Sequence, residues 1–177
     1  AGIVCAMVAV SICGCSEKPA QSSASESSVT SDAGSVSESV SEASDSSTAT
    51  GTAAEITAKI KQDVKFPGMA EIGADRMAGY YDVAADKIDS YSAYICGSGA
   101  YPDEIAVFKM KSADDVNAVK SVLEKRVESL STTFKDYTPD EMYKIDGNNV
   151  VTSGNYVALI ICADNAKAIE DFKSMAK

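Results

Sequence analysis

The 177-residue chain contains no histidine and no tryptophan. Without histidine, no Ser-His or Cys-His pair can form within the chain. It also has no CxxC, no HExxH and no calcium loop of the Asp-x-Asp-x-Asp-Gly type, so no metal or other cofactor is assigned. Basic residues are in deficit, 16 against 26 acidic, for a net charge of −10, and they form no cluster. That sign disfavours nucleic acid as a partner. No apolar run reaches the ~20 residues of a membrane-spanning helix.

What is present begins with residues 1–13, apolar or small almost throughout: Ile3, Val4, Met7, Val8, Val10 and Ile12 among small residues. A run of this length suits the apolar core of a signal peptide. No Met, Lys or Arg precedes it, so the leader is expected to be truncated in this chain. Of the three cysteines here, Cys5 follows Val4 and Cys13 follows Ile12, both too large for the residue before a lipoprotein cleavage site. Cys15 follows Gly14, with Cys13 small and Ile12 aliphatic upstream. Ile12-Cys13-Gly14-Cys15 resembles a bacterial lipobox. It implies cleavage between Gly14 and Cys15 and a diacylglyceryl thioether on Cys15. Two acyl chains give the stable anchoring that one does not. The expected location is the outer face of the cell membrane, with the membrane itself a partner through the lipid. The alternative is an ordinary signal peptide or a membrane helix, with incidental cysteines.

Residues 16–52 change character: about half are Ser or Thr, six are acidic, Lys18 is the one basic residue, and none is aromatic. Such a segment cannot bury enough surface to offset the entropy of ordering, so a disordered tether is expected over residues 15–52. About 37 flexible residues span roughly 35 Å r.m.s..

Residues 53–177 are the usual size of one domain. Thr52-Ala53-Ala54-Glu55 reads as a capping box, followed by Ile56, Ile60 and Val64 on one helical face. Asp75 is expected to start a short helix ending near Tyr80-Tyr81. Residues 89–97 and 104–111 read as two strands of a hairpin, joined by Gly97-Ser98-Gly99-Ala100-Tyr101-Pro102-Asp103. Ser112 reads as the cap of a long helix whose stripe is Val116, Val119, Leu123, Val127, Leu130 and Phe134. Short strands are expected at residues 142–145 and 150–152, with a tight turn between. Residues 155–163 are apolar on both faces, as in a central strand covered on both sides. The first helix, or a partner protein, is expected to supply the second cover. Asp164 reads as the cap of a last helix. The fold class is α+β: a mostly antiparallel sheet of about five strands with helices packed on it.

Lipobox, Ser-rich tether and this domain together resemble a family of uncharacterised Gram-positive lipoproteins with a domain of unknown function. The resembling stretches are Pro102-Asp103-Glu104-Ile105-Ala106-Val107-Phe108-Lys109, Lys125-Arg126, Phe134-Lys135-Asp136-Tyr137-Thr138-Pro139 and Gly154-Asn155-Tyr156-Val157. The resemblance implies a fold and no catalytic residues.

The residues themselves leave little chemistry. Carboxylate pairs at Asp103-Glu104, Asp114-Asp115 and Asp140-Glu141 are expected to be solvated surface. Cys96 and Cys162 each end an apolar strand. If those strands are parallel neighbours, a disulfide is possible; if antiparallel neighbours, the ends lie beyond the ~7 Å Cα limit. Two buried free thiols are expected, with the bridge as alternative. Tyr101 and Asp103, in the glycine-rich loop, are the candidate ligand residues. The expected function is a non-enzymatic binding or interaction module of the cell envelope, with an unknown ligand or protein as partner. The alternatives are an accessory subunit of a membrane complex and a carboxylate-based hydrolase of envelope polymers.

Overall fold

The computed structural model describes residues 50–177. Gly14, Cys15 and the body of the tether lie outside the described residues. The elements in chain order are α1 (Ala53–Asp63), β1 (Met69–Glu71), α2 (Ala74–Tyr80), β2 (Ile88–Cys96), β3 (Glu104–Met110), α3 (Val116–Tyr137), β4 (Val150–Ser153), β5 (Tyr156–Ile161) and α4 (Asn165–Met175). Strands lie in the order β1-β2-β3-β5-β4, every pair antiparallel. This is the α+β architecture the sequence announced, with β1 as a short added edge.

Helix starts follow their caps. Thr52 Oγ1 accepts from the Glu55 amide at 3.2 Å, and the Thr52 amide donates to Glu55 Oε2 at 2.7 Å. Two otherwise unpaired amides are thereby satisfied. Asp164 accepts from the Lys167 amide at the start of α4. Ser112 caps a single 3-10 turn, Ala113–Asp115, which then feeds α3.

The sheet has two buried faces. On one, Ala106, Phe108 and Met110 of β3 and Val157, Leu159 and Ile161 of β5 pack against α2 and α3. On the other, the alternate residues Ile105, Val107, Tyr156, Ala158 and Ile160 pack against Ile56 and Ile60 of α1 and Phe172 of α4. Every residue of β5 is buried. The second cover is therefore α1 together with α4.

The strand expected at residues 142–145 is a 3-10 helix, Pro139–Lys144. Proline at the first turn presets helical φ and needs no donor there. Four residues are too few for alternation to decide against it. The partner this strand was expected to supply comes instead from β5, which pairs with β4 through a two-residue turn, Gly154-Asn155. Gly154 has φ of 54°, a conformation that favours glycine.

Candidate functional site

The sheet has two unlike ends. At one, the chain enters at Gly51. Its amide donates to the Met175 carbonyl at 3.1 Å, and its own carbonyl accepts from the Tyr156 hydroxyl at 2.8 Å. At the other end, five residues along β5, buried charge is concentrated.

Asp103 and Glu104, expected on the surface, are 2% and 1% exposed. This corrects the solvated reading of that pair. The reason is register: β3 is the middle strand, flanked by β2 and β5, so its first residues are roofed by neighbouring elements. The two carboxylates do not converge. Asp103 Oδ2 pairs with Lys144 Nζ at 2.7 Å. Glu104 takes a bidentate pair from Arg126, Nη2 to Oε2 at 2.7 Å and Nε to Oε1 at 3.2 Å. It also accepts from the buried Tyr81 hydroxyl at 2.9 Å.

Lys144 is the hub. It also pairs with half-buried Glu141 at 2.5 Å. Its carbonyl accepts from the side-chain amides of Asn149 and Asn165, at 2.8 and 2.7 Å. Asp140 stays exposed, so the Asp140-Glu141 expectation holds for one member only. The Asp114-Asp115 pair lies at the helix start, with Asp115 paired to Lys87.

Electrostatics follow from this packing. Burial works against the charge of Lys144, yet Asp103 and Glu141 outweigh it and raise its pKa. At neutral pH that direction governs the pair. Burial pushes Asp103 above the usual carboxylate value, opposed by Lys144. Burial and then the neighbouring Glu104 hold the Tyr81 phenol far above its ordinary range. For Arg126, burial is outweighed by Glu104, and its pKa is raised.

Tyr101 and Tyr143 are 41% and 61% exposed, and Lys144 Nζ lies 5.5 and 5.9 Å from their ring centres. Beside Tyr101 is a cavity of about 120 Å3 between the residue 97–103 loop and α3, lined among others by Tyr101, Asp103, Glu104, Arg126 and Phe134. Asp103 Oδ1 has no hydrogen-bond partner. The structure thus brings together both loop candidates, Tyr101 and Asp103. A larger concavity, about 550 Å3, is an open groove elsewhere, at the end of α1 around Lys61, Lys65 and Phe66.

Cys96 and Cys162 are free and buried, with no bridge between them. Their strands run parallel but are not neighbours, because β3 lies between β2 and β5. Two strand spacings, about 10 Å, exceed the reach of a disulfide. Burial pushes the Cys162 thiol up to about 11. At Cys96 burial is outweighed by the Ser98 hydroxyl and by the amides of Tyr101, Ser98 and Ala100, which bring the thiol below its ordinary value.

Residues 62–162 match the family described as Domain of unknown function (DUF4358). The chain belongs to this family. No curated protein and no solved structure matches the chain. The DUF4358 segment contains every member of the ionic hub but Asn165, and it leaves most of α1 and all of α4 outside. Sequence reading of this DUF4358 chain missed Lys144, Arg126, Tyr81 and the two asparagines. For Arg126 a signal existed: it sits three residues after Leu123 and four before Leu130, on the apolar stripe itself. Lys144 offered none, since its segment was assigned to the wrong element.

Proposed function

We propose that this chain is a non-enzymatic binding module of the cell envelope, held to the outer membrane face through a lipid on Cys15. The observation that carries the binding reading is the cavity beside Tyr101 and Asp103, which combines exposed aromatic surface with an unpaired buried acceptor, Asp103 Oδ1. Tyrosine offers a broad apolar face and a polar tip to a ligand. The site also lies at the sheet end opposite Gly51. Each carboxylate is tied to a cation rather than facing its neighbour across a cleft, an arrangement that favours holding over hydrolysis.

The test is a thermal-unfolding titration of the full chain with wall disaccharides, short peptides and free amino acids. A ligand at 100 times its Kd adds about 2.7 kcal/mol, a shift of several degrees. A saturable shift that Tyr101→Ala weakens at least tenfold supports the reading. A flat response, or one indifferent to Tyr101→Ala, sinks it, and product release from a disaccharide replaces it with the hydrolase. For the anchor, a palmitate analogue is expected to label the wild type and not Cys15→Ser, which is released from the cell. Equal labelling of both variants refutes the lipid on Cys15.

A further inference from the structure

Lys144 and Asp103 are an amine and a carboxyl group buried against each other. Lys144 Nζ lies 2.7 Å from Asp103 Oδ2, with both side chains closed to solvent. A second carboxylate reaches the same nitrogen, Glu141 Oε2 at 2.5 Å. Glu141 and Lys144 stand three residues apart in the 3-10 turn Pro139–Lys144, where side chains at that spacing eclipse. Asp103 comes from 41 residues earlier, at the entry to β3.

The arrangement is held from several sides. The side-chain amides of Asn149 and Asn165 fix the Lys144 carbonyl. The rings of Tyr101 and Tyr143 flank Nζ at 5.5 and 5.9 Å. Asp103 Oδ2 accepts from Lys144, and Oδ1 has no partner. One carboxylate is enough to neutralise a buried lysine. The second gives the amine a place to send a proton.

We infer that Lys144 and Asp103 join through an amide bond between their side chains, with Glu141 carrying the proton. The neutral amine attacks Asp103 Cγ. Glu141 takes the proton from the attacking nitrogen and returns it to the leaving hydroxyl. One ammonium and one carboxylate become one amide and one water, Glu141 ends as it began, and no oxidant or other reactant is needed. One Asp103 oxygen leaves in the water, and the other stays as the amide carbonyl, still an acceptor. Groups held in contact this way react at effective concentrations of ~10^5–10^8 M. The product also removes two buried charges whose desolvation is costly.

The reactive form needs only one proton moved from Nζ to Oδ2, with no change in net charge. Burial pushes Asp103 toward its acid form. Asp103 and Glu141 hold Lys144 above its ordinary value, so the neutral amine is scarce. The link therefore closes slowly after folding, and until it does the pair remains ionic. Once closed, it ties off a loop containing β3 and α3 and restricts the unfolded chain as a disulfide would. Cys96 and Cys162 supply no such bridge. The link does not depend on what the loop cavity binds.

The test is tryptic digestion and mass spectrometry of the full chain, kept folded and sampled over time. Trypsin cuts after lysine only while its amine is free. The expected product is residues 88–109 joined to residues 136–167, uncut after Lys144 and one water lighter than the two peptides together. It is expected to accumulate with time in wild type, at least tenfold more slowly in Glu141→Gln, and not at all in Lys144→Arg. Separate peptides throughout, with cleavage after Lys144, overturn the link. Water loss confined to residues 136–167, which Asp146-Gly147 can undergo alone, overturns it as well. Equal rates in wild type and Glu141→Gln overturn the role given to Glu141.

Discussion

The two ends of the same central strands are built from different chemistry. Where the chain enters, the contacts are neutral: the Tyr156 hydroxyl on the Gly51 carbonyl, the Gly51 amide on Met175, the Ser153 hydroxyl on the Ala176 carbonyl. Five residues along, the strands end beside Asp103, Glu104, Lys144 and Arg126, all buried or half-buried. Neutral hydrogen bonds tie a terminus down at little desolvation cost. Buried ion pairs often contribute no more stability than apolar residues of the same size. The entry end is therefore explained by fastening alone, and the far end is not. Charge kept where apolar residues would hold the fold about as well agrees with the proposed binding site at this end.

The largest expected effect breaks the far end. Lys144→Met strands the buried Asp103 carboxylate and is expected to cost about 3–5 kcal/mol in urea unfolding. Asp103→Leu combined with Lys144→Met removes both charges and is expected to recover most of that loss. If the single variant unfolds at the wild-type midpoint, charge is not what organises this end.

The entry end gives a smaller number. Tyr156→Phe removes one buried neutral hydrogen bond and leaves the Gly51 carbonyl unpaired, for about 1–2 kcal/mol by the same measurement. A loss equal to that of Lys144→Met erases the contrast between the ends. Smaller again, Thr52→Ala opens the capping box at the first turn of α1 and is expected to cost about 1 kcal/mol.

The finest distinction is in pH. The folded-state pKa of Lys144 lies above its ordinary 10.5. A raised base stabilises the fold fully below the unfolded value and loses that contribution as pH rises through the folded one. Tyr81, also raised, moves stability the same way above pH 10.0. Wild type is thus expected to lose stability above about pH 10.5 more steeply than the Asp103→Leu/Lys144→Met variant, which retains Tyr81. Parallel curves of unfolding midpoint against pH for the two proteins overturn this.

How legible the molecule was depends on how local each signal is. The Thr52 and Asp164 caps and the α3 stripe lie within one or two helical turns, and each was read correctly. So was the double burial of β5, because an unbroken apolar run admits little else. The stretch 142–145 failed because four residues fit a strand and a proline-led turn equally well. Asp103 and Glu104 were misjudged because adjacent acids look like surface unless the strand bearing them is known to be central.

By itself the sequence determined the class of the domain, the helices and the caps of the first and last of them, the strand that must be covered twice and the loop carrying Tyr101 and Asp103. Tertiary structure alone decided the rest. It set β3 between the two cysteine strands, so their thiols cannot pair. It brought Lys144 to Asp103 across 41 residues and Arg126 to Glu104 across 22. Caps and periodicity act through neighbours along the chain, whereas a charge finds its partner through strand order and helix docking, which no local spacing encodes.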